Sequence, residues 1–179
     1  MKDAYCNACG AKFPEPLKYP RKCAGCGLEL WANPIPVSVA LVPVVSDGRT
    51  GLLVVRRGIE PRTGFLTLPG GFLEDHETWQ QGGAREVFGE SGVKIDPATL
   101  ECLWFTSTEP RPNRVLLFSV AAPLTRLEPF VPNHESPERG VVFGPDGLAE
   151  IFAFPLHMQA ALKYFASRGV KGPHDYRIL

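Results

Sequence analysis

The stretch GGFLEDHETWQQGGAREVFGESGV, residues 70–93, decides how the rest of the chain is read. It gathers five acidic side chains and one arginine about a predicted helix, and sets a glycine, Gly89, among them. Thr78 is a fitting N-cap and Gly92 a fitting stop, so a helix is expected over residues 77–91. Helical residues three or four apart share a face, which brings the carboxylates of Glu86 and Glu90 side by side. Like charges at that spacing cost roughly 0.2–0.5 kcal/mol unless a cation sits between them. The preceding Leu-Pro-Gly-Gly turn lets backbone carbonyls come close, because glycine has no side chain in the way. Hard oxygen donors of this kind suit Mg²⁺ or Mn²⁺, which keep several waters and bind substrate phosphates. Held against a pyrophosphate, such an ion polarises phosphorus, lowers the pKa of a water and stabilises the departing oxygen. On spacing alone a solvated acidic face stays open as the alternative.

Upstream, residues 37–45 (VSVALVPVV) and 52–57 (LLVVRR) are rich in β-branched residues and flank an Asp-Gly pair, a hairpin signal. A short strand is expected in GFLTLPGG. Downstream, residues 100–108, 114–122 and 139–143 read as strands, with a polar, proline-bearing loop over 123–137. The last expected element is a helix opening with Pro155 at its first turn and stopping at Gly169. Its stripe of Met158, Ala161, Leu162 and Phe165 reads as core packing. Strands with one central and one terminal helix predict an α/β fold, a mixed sheet covered on both faces.

Four of the five cysteines fall into two Cys-x-x-Cys pairs, Cys6/Cys9 and Cys23/Cys26, with thirteen residues between them. That spacing reads as a closed, four-thiolate structural zinc site rather than a catalytic one. Gly10 and Gly27, one after each pair, permit the turn each knuckle needs. The intervening AKFPEPLKYPRK is too poor in apolar residues to fold unaided, so the metal would supply folding energy. Cys102, alone in LECLWF, is expected to be a buried small hydrophobe. WANPIP separates the cysteine module from the remainder.

Nineteen basic and nineteen acidic residues cancel in 179, with 44% apolar residues for a core. Such a chain lacks the electrostatic footprint for duplex nucleic acid or an acidic membrane. No apolar run approaches the roughly 20 residues that span a bilayer, and the N-terminus does not read as a signal peptide. The expectation is a cytoplasmic protein without membrane or nucleic-acid partners.

The stretch resembles the signature of the Nudix hydrolases: Gly, five residues, Glu, seven residues, then Arg-Glu-apolar-x-Glu-Glu-x-Gly-apolar. Gly71, Glu77, Arg85, Glu86, Val87, Glu90, Gly92 and Val93 fit it, and Gly89 stands where the family has the first of two adjacent glutamates. With the cysteine pairs, the likeness extends to the branch carrying an N-terminal zinc ribbon. The resemblance implies a ribbon over residues 1–33 and a Nudix hydrolase domain over 34–179. It implies hydrolysis of a nucleoside diphosphate linked to another moiety, such as ADP-ribose or FAD. The proline- and tryptophan-rich tag of NADH pyrophosphatases is absent, which argues against NADH.

Carried over, Glu86 and Glu90 would be catalytic metal ligands, joined by the Gly70 carbonyl. Glu77 and Arg85 would form a structural ion pair. A further acid, as base or ligand, would come from Glu138 or Glu135, and Arg56, Arg57 and Arg62 could meet substrate phosphates. The family also makes a homodimer an expectation. Gly89 supports a rival reading, a nucleotide sensor weakened in catalysis. A third is an adaptor working through the ribbon, whose few basic residues argue weakly for nucleic acid.

Overall fold

The computed structural model describes residues 4–109 and 113–179, which fall into two compact units, Met1–Pro34 and Ile35–Leu179. The first unit is two matching knuckles. Tyr5 bridges Lys12 around the first cysteine pair, and strand β1 (Arg21–Lys22) pairs with β2 (Glu29–Leu30) around the second. In each, a glycine amide closes the turn: Gly10 donates to the Cys6 carbonyl and Gly27 to that of Cys23, both at 2.9 Å. The core is Cys6, Phe13 and Cys23, with Ala11, Leu17 and Leu30 against them. So few apolar contacts cannot offset about 1–2 kcal/mol of backbone entropy per ordered residue.

In the second unit β3 (Ile35–Leu41), β4 (Pro43–Ser46), β5 (Arg49–Arg56), β6 (Leu66–Thr67) and β7 (Gly70–Phe72) precede helix α1 (Trp79–Ser91). A single 3₁₀ turn, Pro97–Thr99, leads to β8 (Glu101–Ser107), β9 (Arg114–Val120) and β10 (Glu138–Phe143). Helices α2 (Leu148–Ile151) and α3 (Pro155–Ser167) and strand β11 (Asp175–Ile178) complete it. One sheet runs β7-β3-β9-β8 and is mixed, β3 and β9 being parallel. The other runs β11-β10-β5-β4, with β6 added on β5, and its pairs are antiparallel.

The apolar run over 37–45, expected as one strand, therefore serves both sheets. The Leu41 carbonyl accepts from Ala121 and the Val42 carbonyl from Leu53, each at 2.9 Å, and Pro43 has no amide to continue the first ladder. The Asp-Gly hairpin forms as predicted, with Asp47 and Gly48 at φ 51° and 72° between β4 and β5.

Alternation divides the core. Val39, Leu41, Leu52 and Val54 join Ala160, Ala161, Tyr164 and Phe165 of α3 in one cluster. Ala40, Val42 and Leu53 join Val87 of α1 in the other. The sheets are thus sandwiched between helices, which is why the strands read as continuous apolar runs. The stripe expected on α3 faces inward, with Ala161 and Phe165 buried and Met158 and Leu162 half-buried. His157 is buried beside it and shares a 2.9 Å hydrogen bond with Thr67 Oγ1. Burial holds the ring neutral, pulling its pKa down to about 3.

Some expectations need correction. Cys102 is exposed, because β8 is an edge strand whose register slips by a bulge between Cys102 and Trp104. The two final glycines of the Pro-Gly-Gly turn are strand residues paired with β3. Strand β11 and the single-turn α2 gave no sequence signal above their surroundings.

Helix α1 starts two residues later than expected. Thr78 is its N-cap, in a reciprocal capping box with Gln81, and Gly92 ends it at φ 71°. Its glycines are not equivalent. A methyl group at Gly83 would lie 2.8 Å from Ser38 Oγ, which is held by its bond to the Trp79 carbonyl, and 3.2 Å from Leu100. A methyl group at Gly89 meets nothing within 4 Å. Opposite outcomes are therefore expected from the same substitution. Gly89→Ala should gain about 1 kcal/mol of helix propensity. Gly83→Ala should lose about 1 kcal/mol or more, as overpacking outweighs propensity. Urea denaturation of the two variants checks the signs.

Candidate functional site

Strand β7 lays Gly70 and Gly71 along β3, opposite Val39 and Ser38, and α1 packs over both strands. Neither glycine has room for a side chain. A Cβ at Gly70 would lie 2.6 Å from the Ser38 carbonyl, and one at Gly71 would lie 2.5 Å from the Glu86 carboxylate. Glu86 is thus seated directly on the β7 backbone, and Glu90 one turn later accepts from the Gly70 amide at 3.2 Å. The Gly70 amide is thus taken up by Glu90, while its carbonyl is the further metal ligand that the family likeness implies.

Glu90 is half-buried, and its pKa is pushed up to about 8, first by burial and then by the nearby charge of Glu86. Arg57 opposes this shift and Glu135 adds to it, so both lie within electrostatic reach of Glu90. This is a pair of acids one turn apart whose charge the protein does not fully neutralise. Such a donor set fits a hard divalent cation.

Arg85 braces the pair. It forms a two-pronged bridge to Glu77, Nε–Oε2 2.9 Å and Nη2–Oε1 2.6 Å, and also donates to the Phe72 carbonyl at 2.9 Å and to Glu86 Oε1 at 2.6 Å. Glu77 lies before the N-cap, so its carboxylate turns back along the helix, where it also accepts from the Glu74 amide at 2.9 Å. The Arg85 hydrogen bond draws the Glu77 pKa down to about 2 from 4.5. A carboxylate with a depressed folded pKa contributes stability above its unfolded value and loses it as pH falls through the folded one. Glu77→Gln should therefore be destabilised relative to wild type at pH 7, with the gap closing between pH 4.5 and pH 2. Chemical denaturation across that range measures it.

The remaining site residues are distributed as follows. Glu138 stands opposite Arg56 across the β10–β5 ladder and binds it at 2.7 Å, while Tyr176 donates to the same oxygen at 2.7 Å. These partners hold the Glu138 pKa below the usual carboxylate range against the burial that raises it. Arg56 also donates to the Gly64 carbonyl at 2.7 Å. Arg57 donates to the Pro61 carbonyl at 2.9 Å and lies over the Phe154 ring. Arg62 lies over Phe65. Phe72, next to the glycine pair, is 56% exposed and carries Arg114 over its ring. Between Phe72 and Phe154 opens a cleft of about 470 Å³, lined also by Val37, Leu116, Leu156 and His157. Nothing in the sequence tied Phe154 or His157 to residues 70–93; the sheet topology does.

In the first unit the four cysteine sulfurs lie within 4.8 Å of one another. The contacts Cys6–Cys26 at 3.7 Å and Cys9–Cys23 at 3.5 Å are close to the roughly 3.8 Å edge of a tetrahedron with 2.3 Å metal–sulfur bonds. The Cys26 amide leads in pulling the Cys23 thiol down to about 6. Cys9, despite the Ala11 amide that lowers it, is pushed up to about 12 by neighbouring thiols. Four thiols so crowded exchange their remaining protons for a cation, and the cluster fits a tetrahedral metal.

A family model described as the NUDIX domain matches residues 34–159. The chain belongs to the Nudix hydrolase family. Among curated relatives, the "NAD-capped RNA hydrolase NudC" of Deinococcus radiodurans is 30% identical over 114 residues, 63% of this chain and 39% of the relative. A "MutT-like protein" of Streptomyces ambofaciens is 43% identical over 72 residues, 40% of this chain and 44% of the relative. The chain thus spans less than half the length of these curated Nudix relatives. Among solved structures, a Nudix hydrolase from Nitrosomonas europaea superposes with TM-score 0.72 at 26% identity, over 94% of both chains. The Nudix domain of Shewanella oneidensis NrtR, complexed with ADP ribose, shares the fold with TM-score 0.65 at 17% identity, covering 77% of this chain and 90% of that one. No helix among the described residues of this Nudix chain is long and apolar enough to cross a membrane.

Proposed function

We propose that the chain hydrolyses the pyrophosphate bond of a nucleoside diphosphate linked to another moiety, an ADP-ribose- or FAD-like compound. Residues 1–33 would act as a structural zinc ribbon and residues 34–179 as the hydrolase domain. The observation that carries this reading is the half-buried Glu90 beside Glu86, seated on a glycine backbone where a Cβ would collide. Glu86 and Glu90 would hold Mg²⁺ or Mn²⁺, which supplies charge neutralisation at the diphosphate and activation of water. Arg85, fixed by Glu77, orients Glu86. Arg57, the arginine within electrostatic reach of Glu90, is assigned to a substrate phosphate; Arg56 and Arg62 have the weaker claim, Arg56 being engaged with Glu138.

The proton of the attacking water is assigned to Glu135, whose charge reaches Glu90. Glu138 is disfavoured for that role because Arg56 and Tyr176 occupy its carboxylate. The cleft between Phe72 and Phe154 offers flat apolar rings and few polar groups to a planar ring of the substrate.

Gly89 favours a second reading, a nucleotide binder with weakened catalysis. The test is product analysis with ADP-ribose, FAD, NADH, an NAD-capped oligonucleotide, diadenosine polyphosphates and nucleoside triphosphates under Mg²⁺ and Mn²⁺. Wild type is expected to turn over a dinucleotide at millimolar metal. Gly89→Glu, for which there is open space, is expected to lower the metal concentration for half-activation. A wild type inert throughout and switched on by Gly89→Glu would favour the binder.

A further inference from the structure

The segment before β10 is fastened to the last turn of α1 by two residues that lie outside residues 70–93. Asn133 donates from Nδ2 to the Gly89 carbonyl at 3.2 Å, while its Oδ1 accepts from the amides of Glu135 at 3.0 Å and Ser136 at 2.8 Å. Its own amide donates to the Ser136 carbonyl at 3.1 Å, so the side chain folds this short turn and clips it to the helix at once. Arg139, 4% exposed, donates to the Ser91 carbonyl at 2.9 Å and to the Glu128 carbonyl at 3.0 Å, with its guanidinium over Phe130. On the far side, the Gly58 amide donates to the Glu135 carbonyl at 2.7 Å.

The Arg139 arrangement is chemically costly. A guanidinium is buried with no ion pair among the described residues, its Nε makes no hydrogen bond, and carbonyl dipoles supply its compensation. One of those carbonyls ends α1, where the helix dipole is negative and favours a cation. A hydrophobic side chain could fill that space without burying charge. What the arginine adds is a fixed distance between the end of α1 and the start of this segment at Glu128 and Phe130.

We propose that Asn133 and Arg139 are positioning residues that lash this segment to the C-terminal turn of α1 and so hold Glu135 against the Glu86–Glu90 pair. Resting on the function proposed above, this gives the site its third acid from a loop, with Gly89 supplying no carboxylate from the helix. The strap uses the backbone of the very residue whose side chain is missing.

A double-mutant cycle tests it, read by Mn²⁺ affinity (electron paramagnetic resonance of free Mn²⁺) and by steady-state kinetics. Asn133→Ala and Glu135→Gln are each expected to weaken Mn²⁺ binding about tenfold, within the range for residues that orient metal ligands. They should lower kcat by a similar factor with KM changed less than about threefold. Adding Asn133→Ala to Glu135→Gln should cost less than about twofold more, because the strap acts through that acid. Asn133→Asp keeps the turn but loses the donor to Gly89, and should match Asn133→Ala. Arg139→Lys should show the same non-additivity with Glu135→Gln.

Additive losses, or an Asn133→Ala variant that binds Mn²⁺ and turns over as wild type does, overturn the proposal. So does a loss explained wholly by a lower melting temperature, since Asn133 is exposed and its removal should leave folding nearly unchanged. A wild type that binds Mn²⁺ with the predicted coupling but cleaves nothing sinks the hydrolase reading and leaves the strap standing. A wild type that binds no Mn²⁺ sinks both.

Discussion

Glu90→Gln is expected to lower kcat by about a thousandfold while leaving the metal-free protein at least as stable as wild type. The first effect follows from Coulomb's law. A unit charge about 4 Å from another is worth about 4 kcal/mol at the effective dielectric of a half-buried site, or roughly a thousandfold in rate. Glutamine has nearly the same volume and can still accept from the Gly70 amide, so what is removed is charge. Part of the loss should return at high metal concentration if Glu86 alone can still recruit the ion.

The second effect has the opposite sign and the same cause. Burial and the charge of Glu86 raise the folded pKa of Glu90 to about 8, above the 4.5 of the unfolded chain. An acid with a raised folded pKa makes the folded state bind more protons, so stability falls as pH climbs from 4.5 through about 8. Glutamine carries no such penalty. Denaturation of the metal-free proteins at pH 6 and pH 9 should therefore show the variant gaining on wild type at the higher pH, while its activity is nearly gone. Full activity in Glu90→Gln, or a wild type whose stability is flat over that range, would remove Glu90 from the proposed site.

Cys23→Ser is expected to unfold the first unit and leave the second folded. Structural zinc contributes about 10–16 kcal/mol to small zinc modules near neutral pH, more than a core of Cys6, Phe13 and Cys23 can replace. Metal analysis is expected to find zinc in wild type and none in the variant. Amide signals of Phe13 and Leu30 should collapse to unfolded dispersion, while those of Val39, Leu53 and Phe165 persist, since their clusters lie wholly within the second unit. A Cys23→Ser chain with the first unit still dispersed would mean that the knuckles hold without a metal.

Both variants bear on how much of this molecule is legible as sequence. The Cys-x-x-Cys pairs, the Asp-Gly hairpin, the capped helix ending at Gly92 and the Glu86–Glu90 face are local patterns. Each needs only residues within a few positions of one another, so dihedral preference and helical spacing suffice to read them. The Glu77–Arg85 bridge was legible through the family likeness, because it too lies within one stretch.

What could not be read depends on pairings between distant segments. Cys102 is exposed because β8 falls at a sheet edge, which the apolar letters around it do not encode. Glu138 and Glu135, three residues apart, differ in fate because strand register sets the first opposite Arg56, while the second sits in a turn that Asn133 clips to the Gly89 carbonyl. His157 meets Thr67, and Arg139 meets Ser91, across separations of 90 and 48 residues.

The chain's letters alone, then, settled which acids share a helix face and which thiols share a knuckle, since a few bonds fix those distances. Which of the distant carboxylates are paired with arginines was decided by the tertiary structure. A charge is quenched or left open by neighbours that sheet pairing delivers, whatever their place in the sequence.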